Sequence, residues 1–201
     1  MAEATSELQE LAELLSVPVF TTMPGKSAFD ERHELSLGAG STTTTLAAKE
    51  FLTSCDTILG LGTSFTRTPY SQQIPSGKTI IQNVDNPDSI NKDESIDVAL
   101  IGDTKETIIE LTNKLKELFG ESRMDNNDIR ELIAKYKNDM RAEFEPYFNS
   151  DSEPINPYRV VNAINNAVDL ENSIITHDAG APREQSVAFI EATVPHSYIG
   201  W

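Results

Sequence analysis

The sequence gives no support for disulfides, membrane spans or an export signal. Cys55 is the single cysteine among 201 residues, so the chain cannot close an intramolecular disulfide. No apolar run approaches the roughly 18 residues that a membrane-spanning helix needs, and no N-terminal signal pattern is visible. We therefore expect a cytoplasmic protein with no membrane partner.

Positive charge is also scarce. The chain has 16 lysines and arginines against 32 aspartates and glutamates, which gives a formal net charge of −16. Such a surface repels the phosphates of nucleic acids, so we predict no nucleic acid partner. His33, His177 and His196 are far apart in sequence and have no cysteine or histidine at metal-ligand spacing. We therefore predict no zinc site and assign no metal ligand.

Helix and strand patterns alternate along the first 120 residues. Leucines recur at helical spacing in residues 6–16, behind Ser6 as a predicted N-cap, and again in residues 104–120 before a glycine stop. Four apolar runs are typical of buried strands, at residues 17–22, 57–62, 78–85 and 96–103, whereas residues 23–41 have the composition of a long loop. This alternation predicts an α/β fold, an open parallel sheet with helices on both faces.

The second part of the chain has a different composition. We predict a central α/β domain at residues 1–120, a linker with a charged helix at 121–156, and an incomplete second α/β unit at 157–201. That unit contains one predicted strand, residues 172–178, and two helices, the second starting at Pro182. A parallel strand needs neighbouring strands on both edges and helices on both faces. We therefore expect Ile174 and Ile175, with Val187, Phe189 and Ile190 of the following helix, to pack on the first domain or on another copy of the chain, or to fray.

A glycine pair follows the predicted strand at residues 57–62. Gly60 and Gly62 match the first two glycines of a dinucleotide fingerprint, but Phe65 stands where the third glycine is required. Asp85, at the end of the next predicted strand, is a possible ribose ligand, although it comes somewhat late. The pattern leaves open a nucleotide site, the remnant of one, or a plain turn.

Residues 178–182 form the second motif of interest. They connect a strand through Gly180 to a helix, and the free N–H groups at a helix N-terminus suit an anion such as a diphosphate. A plain turn with proline in the first helical turn is the alternative. His177 either faces a ligand at the strand end or is a hydrogen-bonded structural residue. Lys26 and Arg67 could meet an anion or be solvated loop charges.

The order of several motifs resembles a known family. The segments VPVFTTMPGKSAF, LGAG, ILGLGTSF, IIQNVDNPDSI and VALIGD resemble the central domain of thiamine diphosphate-dependent enzymes of the acetolactate synthase type. INPYRVVNAI, SIITHDAGAPREQ and PHSYIGW resemble the start of the diphosphate-binding domain that follows in those enzymes. The resemblance covers the chain from about Leu8 to Trp201 and implies a Rossmann-like fold.

The resemblance also implies an activity. Such enzymes are carboligases or decarboxylases that act on small 2-oxo acids, use thiamine diphosphate with Mg²⁺, and form homo-oligomers. They carry an activating glutamate in an N-terminal domain and a Gly-Asp-Gly…Asn metal motif, and this sequence has neither. We therefore expect an interior fragment that is inactive alone, and we assign it no catalytic residue.

Specific cofactor contacts follow from the resemblance. It places diphosphate contacts on Ala179, Gly180, Ala181 and Pro182, although proline has no N–H to donate. Acetolactate synthases also hold FAD in the central domain. The corresponding contacts here are Thr22, Met23, Gly38, Ala39, Gly40 and Asp85, and we also predict Gly62 of the glycine pair as a cofactor-binding residue. Their Phe-Asp-Asp-Arg stretch is replaced by FTRT at residues 65–68, which favours a vestigial nucleotide fold. The alternatives are a stand-alone FAD or adenine-nucleotide module, or a structural scaffold for subunit contacts.

Overall fold

The structure is a computed structural model that describes residues 2–122 and 124–200. Helices and strands are mixed along the chain, and every pairing between the described strands is parallel. The helices are α1 Thr5–Leu15, α2 Leu46–Ser54, α3 Thr104–Phe119, α4 Asn127–Phe148, α5 Pro157–Ala167 and α6 Ala181–Phe189. The strands are β1 Val19–Thr22, β2 Ser36–Gly40, β3 Thr57–Leu61, β4 Thr79–Val84, β5 Val98–Ile101, β6 Ile175–Thr176 and β7 Tyr198–Ile199.

The described chain divides into two compact units. The first unit joins Met1–Ser16 to Phe51–Asp125, and the second joins Val17–Glu50 to Asn126–Trp201. Each unit joins two segments that are distant in the sequence, so this division does not test domain boundaries along the chain. The proposed boundaries at residues 120 and 156 remain a prediction.

The first unit is a three-stranded sheet of order β3-β4-β5 with helices α1 and α3. Helix α3 begins where the Asp103 side chain accepts a hydrogen bond from the Glu106 N–H at 3.1 Å. It ends at Gly120, whose φ of +86° suits glycine. Ion pairs from α3 to α1, such as Lys105–Glu7 at 3.1 Å, are partly exposed and add little stability.

The second unit contains the parallel pairs β1-β2 and β6-β7 with helices α4, α5 and α6. One buried cluster joins Met23 and Ala39 to Val187 of α6. Another lies around Tyr198 and is completed by Val161, Leu170, Ile190 and Ala192. Val187 and Ile190 are therefore buried within this unit. Val187 packs on Met23 and Ala39 from the predicted first domain, whereas Ile190 lies in the Tyr198 cluster and Ile174 is exposed.

Three details of the sequence prediction were wrong. Residues 23–41 are not a continuous loop, because they contain β2, which makes five strands and not four in residues 1–120. The segment SLGAG lacks the β-branched residues that signal a strand, and its pairing with β1 is long-range. The N-cap of α1 is Ala4, and the Ser6 hydroxyl binds the Glu7 carboxylate instead. The strand predicted at 172–178 is only two residues long and pairs with β7, which the sequence did not reveal.

Candidate functional site

The 178–182 turn is exposed at the start of helix α6. Gly180 has a φ of +92°, and a Cβ built there meets no described atom within 4 Å, so the glycine is required by the backbone conformation and not by crowding. The Asp178 carboxylate accepts the Ala179 N–H at 2.7 Å. The Gly180 carbonyl accepts the Arg183 N–H at 3.1 Å, which closes the first turn of the helix.

Two backbone donors of this turn fit an anion. Within residues 2–122 and 124–200, the structure records no acceptor for the N–H groups of Gly180 and Ala181. Pro182 offers no donor, and the Ala179 N–H is already bound to its neighbour. Two of the four predicted contacts therefore present a free N–H at the positive end of a nine-residue helix.

The charges near the turn are mixed. Glu184 accepts the Thr43 N–H at 3.1 Å and is paired with Arg183 at 2.8 Å. Burial would raise the pKa of Glu184, but these hydrogen bonds outweigh it and hold the pKa below its ordinary value. Asp178 adds a second carboxylate at the turn. An anion bound here would therefore need positive charge in addition to that of Arg183. A divalent cation bound to a diphosphate supplies such a charge.

The second unit contains a buried ion pair between Lys26 and Glu31. Lys26 is not a solvated loop charge, which was one of the two alternatives that the sequence left open. Its side chain is 1% exposed and its Nζ lies 2.5 and 2.6 Å from the two carboxylate oxygens of Glu31, which is 8% exposed. Burial lowers the pKa of Lys26 and raises the pKa of Glu31, against their mutual attraction.

Tyr198 extends this pair toward α6. The Lys26 Nζ lies 5.1 Å from the centre of the Tyr198 ring, within the range of a cation–π contact. The Tyr198 hydroxyl lies 2.8 Å from Ser186 Oγ on α6. Burial raises the pKa of Tyr198 to about 12, although the hydrogen bond to Ser186 opposes this.

Sequence reasoning missed Glu31 and Tyr198. A lysine and a glutamate five residues apart, with Met23 before them and Phe29 between them, were the only local sign that the charges could be buried together. Arg67, by contrast, forms a half-exposed bidentate pair with Glu94. Arg67 is therefore a partly exposed loop charge that is neutralised by Glu94.

The glycine pair of the first unit is closed by Phe65. A Cβ built on Gly60 would lie 2.5 Å from Cε2 of the Phe65 ring, so the ring covers the glycine directly. Phe65 has a φ of +51°, which a bulky residue rarely adopts. Gly62, with a φ of +64°, donates its N–H to the Asn83 carbonyl at 3.0 Å. The face on which a nucleotide would approach Gly60 is occupied by the protein's own side chain.

Two buried amides hold the loops at the same end of this sheet. Gln82 and Asn83 of β4 are both fully buried. The Gln82 amide donates to the carbonyls of Thr63 and Ser89 at 2.8 and 3.2 Å. The Asn83 amide donates to two carbonyls at the end of β5 and to Thr107 Oγ1 at 3.1 Å. These contacts fix the loops, whereas Asp85 is exposed at the end of β4.

Most of the remaining residues predicted for FAD are buried or closely packed by neighbouring side chains. Met23 and Ala39 are buried against Val187. Cβ atoms built on Gly38 and Gly40 would lie 2.9 and 2.6 Å from side-chain atoms of Thr45 and Thr44. Thr22 is exposed. Protein atoms therefore cover most of these positions.

The described residues contain no group of three or more His, Cys, Asp or Glu side chains that could hold a metal ion. His177 lies at the carboxyl end of β6, with Nδ1 3.0 Å from the Asp178 carbonyl and its ring 5.5 Å from that of Tyr198. Its Nε2 is buried close to Gly200 and has no partner among the described residues. These contacts are consistent with a structural role.

A family model described as "Thiamine pyrophosphate enzyme, central domain" matches residues 1–111. The chain belongs to this family. Two proteins named "Probable acetolactate synthase large subunit" match it almost throughout. The one from Methanococcus aeolicus is 28% identical over 208 residues, which covers 99% of this chain and 35% of that protein. The one from Methanocaldococcus jannaschii is 31% identical over 204 residues, which covers 98% and 33%.

The acetolactate synthase large subunit of Cyanidium caldarium is 26% identical over 193 residues and is covered to 32% of its length. The chain therefore spans about a third of the length of these relatives. The predicted family and the parallel α/β fold are confirmed. The alternative of a stand-alone nucleotide-binding module is not supported. No helix in the described ranges has the length and apolarity to cross a bilayer.

Proposed function

We propose that this chain provides the central scaffold, and part of the cofactor diphosphate site, of a thiamine diphosphate-dependent carboligase or decarboxylase that acts on small 2-oxo acids. The family match and the relatives named acetolactate synthase support this proposal. We also propose a homo-oligomer as the working form of the enzyme.

The observation that carries the proposal is the 178–182 turn. Gly180 and Ala181 would donate their N–H groups to the cofactor diphosphate, while the N-terminal end of α6 would supply favourable partial charge. Ala179 and Pro182 would shape the turn without donating. When bound, thiamine diphosphate supplies the means to stabilise a carbanion. The Mg²⁺ that accompanies it would have to be held by groups other than a cluster of the described acidic residues.

FAD has no supported role in this proposal. Gly62 and Asp85 remain the open positions of the nucleotide motif, but Phe65 covers Gly60, and Met23 and Ala39 are buried. We therefore propose that the central domain serves as a scaffold without a flavin.

Ligand-induced thermal stabilisation tests the proposal. A ligand at a hundred times its Kd stabilises the folded state by about 2.7 kcal/mol, which raises Tm by roughly 5–10 °C for a chain of this size. Thiamine diphosphate with Mg²⁺ should give such a rise, and thiamine, which has no diphosphate, should not. An equal response to both ligands would contradict the proposal.

One substitution locates the effect. Ala181→Asp places a carboxylate at the first residue of α6, a position that is exposed and tolerates aspartate, and it should abolish the rise in Tm. Asn127→Asp adds the same charge at the exposed first residue of α4 and is the matched control. A rise that survives Ala181→Asp would place the ligand elsewhere.

A further inference from the structure

A short segment of the second unit, residues 23–33, holds two buried charges that the proposed cofactor turn does not use. We refer to it as the lysine loop. The Lys26–Glu31 pair lies almost entirely out of solvent. Removal of one partner from such a pair leaves the other as an uncompensated buried charge, which is far less favourable than the intact pair. The pair therefore constrains whatever structure its two side chains contact.

Glu31 connects the loop to the segment that follows α6. Its Oε2 accepts the Ala192 N–H at 2.9 Å, and its own N–H donates to the Ala192 carbonyl at 3.1 Å. Ala192 is buried, three residues after the end of α6. Two hydrogen bonds to one buried residue fix the position of the chain as it leaves the helix.

Lys26 connects the loop to the helix itself. Its ammonium lies over the Tyr198 ring, and the Tyr198 hydroxyl is bonded to Ser186 in the middle of α6. The helix is thus held at its centre and just beyond its end by a single buried pair.

Helix α4 supports the loop from a further direction. Lys137 Nζ donates to the carbonyls of Glu31 and His33 at 3.1 and 3.5 Å. Burial lowers the pKa of Lys137, opposed by the nearby carboxylates of Glu191, Glu31 and Asp30. The backbone of the loop is therefore fixed independently of the Lys26 side chain.

We propose that Lys26, Glu31 and Tyr198 are positioning residues that fix the orientation of α6 and so hold the 178–182 turn in the geometry that receives a diphosphate. They touch no ligand in this scheme. The identity of the ligand rests on the proposed function, whereas the mechanical coupling of the pair to α6 does not.

Amide hydrogen exchange of the full chain without ligand tests the coupling. Lys26→Met keeps the length of the side chain and leaves Glu31 buried and unpaired, so exchange of the α6 amides should accelerate by roughly a hundredfold. Lys135→Met makes the same change at an exposed pair with Asp139 on α4 and should alter those rates by no more than about threefold. The β4 amides of the first unit should keep their rates in both variants.

A milder variant keeps the test valid if Lys26→Met does not fold. Tyr198→Phe removes only the hydroxyl that binds Ser186, and it should accelerate exchange in α6 by about fivefold. In unliganded amide correlation spectra, the Gly180 and Ala181 resonances should move in Lys26→Met and Tyr198→Phe but not in Lys135→Met. A displaced turn produces this signature, and a simple loss of stability does not.

The possible results separate the two proposals. The coupling would be overturned if the exchange rates of the α6 amides in Lys26→Met stay within about threefold of those in the unsubstituted protein. Equal acceleration of exchange in α6 and β4 would also overturn it. Unmoved Gly180 and Ala181 resonances would overturn it as well. If the coupling is observed but thiamine diphosphate does not stabilise the chain, the proposed function fails and the positioning role stands.

Discussion

Gly60→Ala tests whether Phe65 closes the glycine turn. Gly60 has no unusual φ, so the substitution adds only a methyl group, which would lie 2.5 Å from Cε2 of the Phe65 ring and 2.8 Å from Cγ2 of Thr63. Overpacking of this kind costs about 1–3 kcal/mol, and alanine recovers about 0.5–1 kcal/mol of the backbone entropy that a strand glycine loses. The expected net loss in free energy of unfolding is about 1–2 kcal/mol.

The decisive measurement is a double-mutant cycle by urea unfolding. In a Phe65→Ala background the ring is gone and only the contact with Thr63 Cγ2 remains, which rotation of that side chain relieves, so Gly60→Ala should become close to neutral. The coupling between positions 60 and 65 should then be about 1–2 kcal/mol. Gly102→Ala is the matched control, because its Cβ would lie 3.5 Å from Thr107 Oγ1, an ordinary contact. Additive effects at positions 60 and 65 would refute the packing that the structure shows.

Three further predictions concern buried or capping groups. Asn83→Leu removes an amide that donates to three acceptors, so it should lower the free energy of unfolding in urea by about 2–3 kcal/mol. A loss below about 0.5 kcal/mol would contradict the role of this amide in fixing the loops. Lys78 donates to the carbonyl of Thr53 in the last turn of α2 and to that of Cys55 just after it. Lys78→Met should therefore lower the unfolding free energy by about 0.3–1 kcal/mol, measured in the same way against Lys114→Met as an exposed control. Burial raises the pKa of Tyr198 to about 12 from an ordinary 10.0, so the folded state holds this proton more tightly than the unfolded chain. The resulting stability is complete below about pH 10 and is lost as the pH rises toward 12. An ultraviolet titration of tyrosinate should lose its last step in Tyr198→Phe, and an unchanged titration would show that another tyrosine is responsible.

Local signals in the sequence were sufficient for much of the fold. The helical spacing of apolar residues and the glycine at 120 define α3 through neighbouring residues, and the structure has this helix at Thr104–Phe119. The strands β3 and β4 lie in apolar runs, and they were recognised from that local composition.

Features that depend on distant contacts were not accessible from local patterns. Strand β2 consists of small residues, and its strand character comes from pairing with β1. The burial of Lys26 depends on Glu31 and on Tyr198, which lies 172 residues further along the chain. No local pattern in the sequence near Lys26 indicates its contact with Tyr198.

The candidate turn was located from the sequence, but its donors were not. A strand, Gly180 and a proline at the start of a helix indicate the turn through local geometry alone. That the Ala179 N–H is taken by Asp178, and that Gly180 and Ala181 keep theirs, depends on side-chain orientation within the turn. The four residues that the resemblance indicates therefore reduce to two proposed donors.

Amide-resolved nuclear magnetic resonance of the chain during titration with thiamine diphosphate and Mg²⁺ tests the central proposal most directly. We predict that the Gly180 and Ala181 amide resonances shift and saturate together, that Gly60 and Gly62 stay in place, and that thiamine without its diphosphate produces neither change. Unmoved resonances at Gly180 and Ala181, or saturating shifts confined to the glycine pair of the first unit, would contradict the assignment of the diphosphate to helix α6.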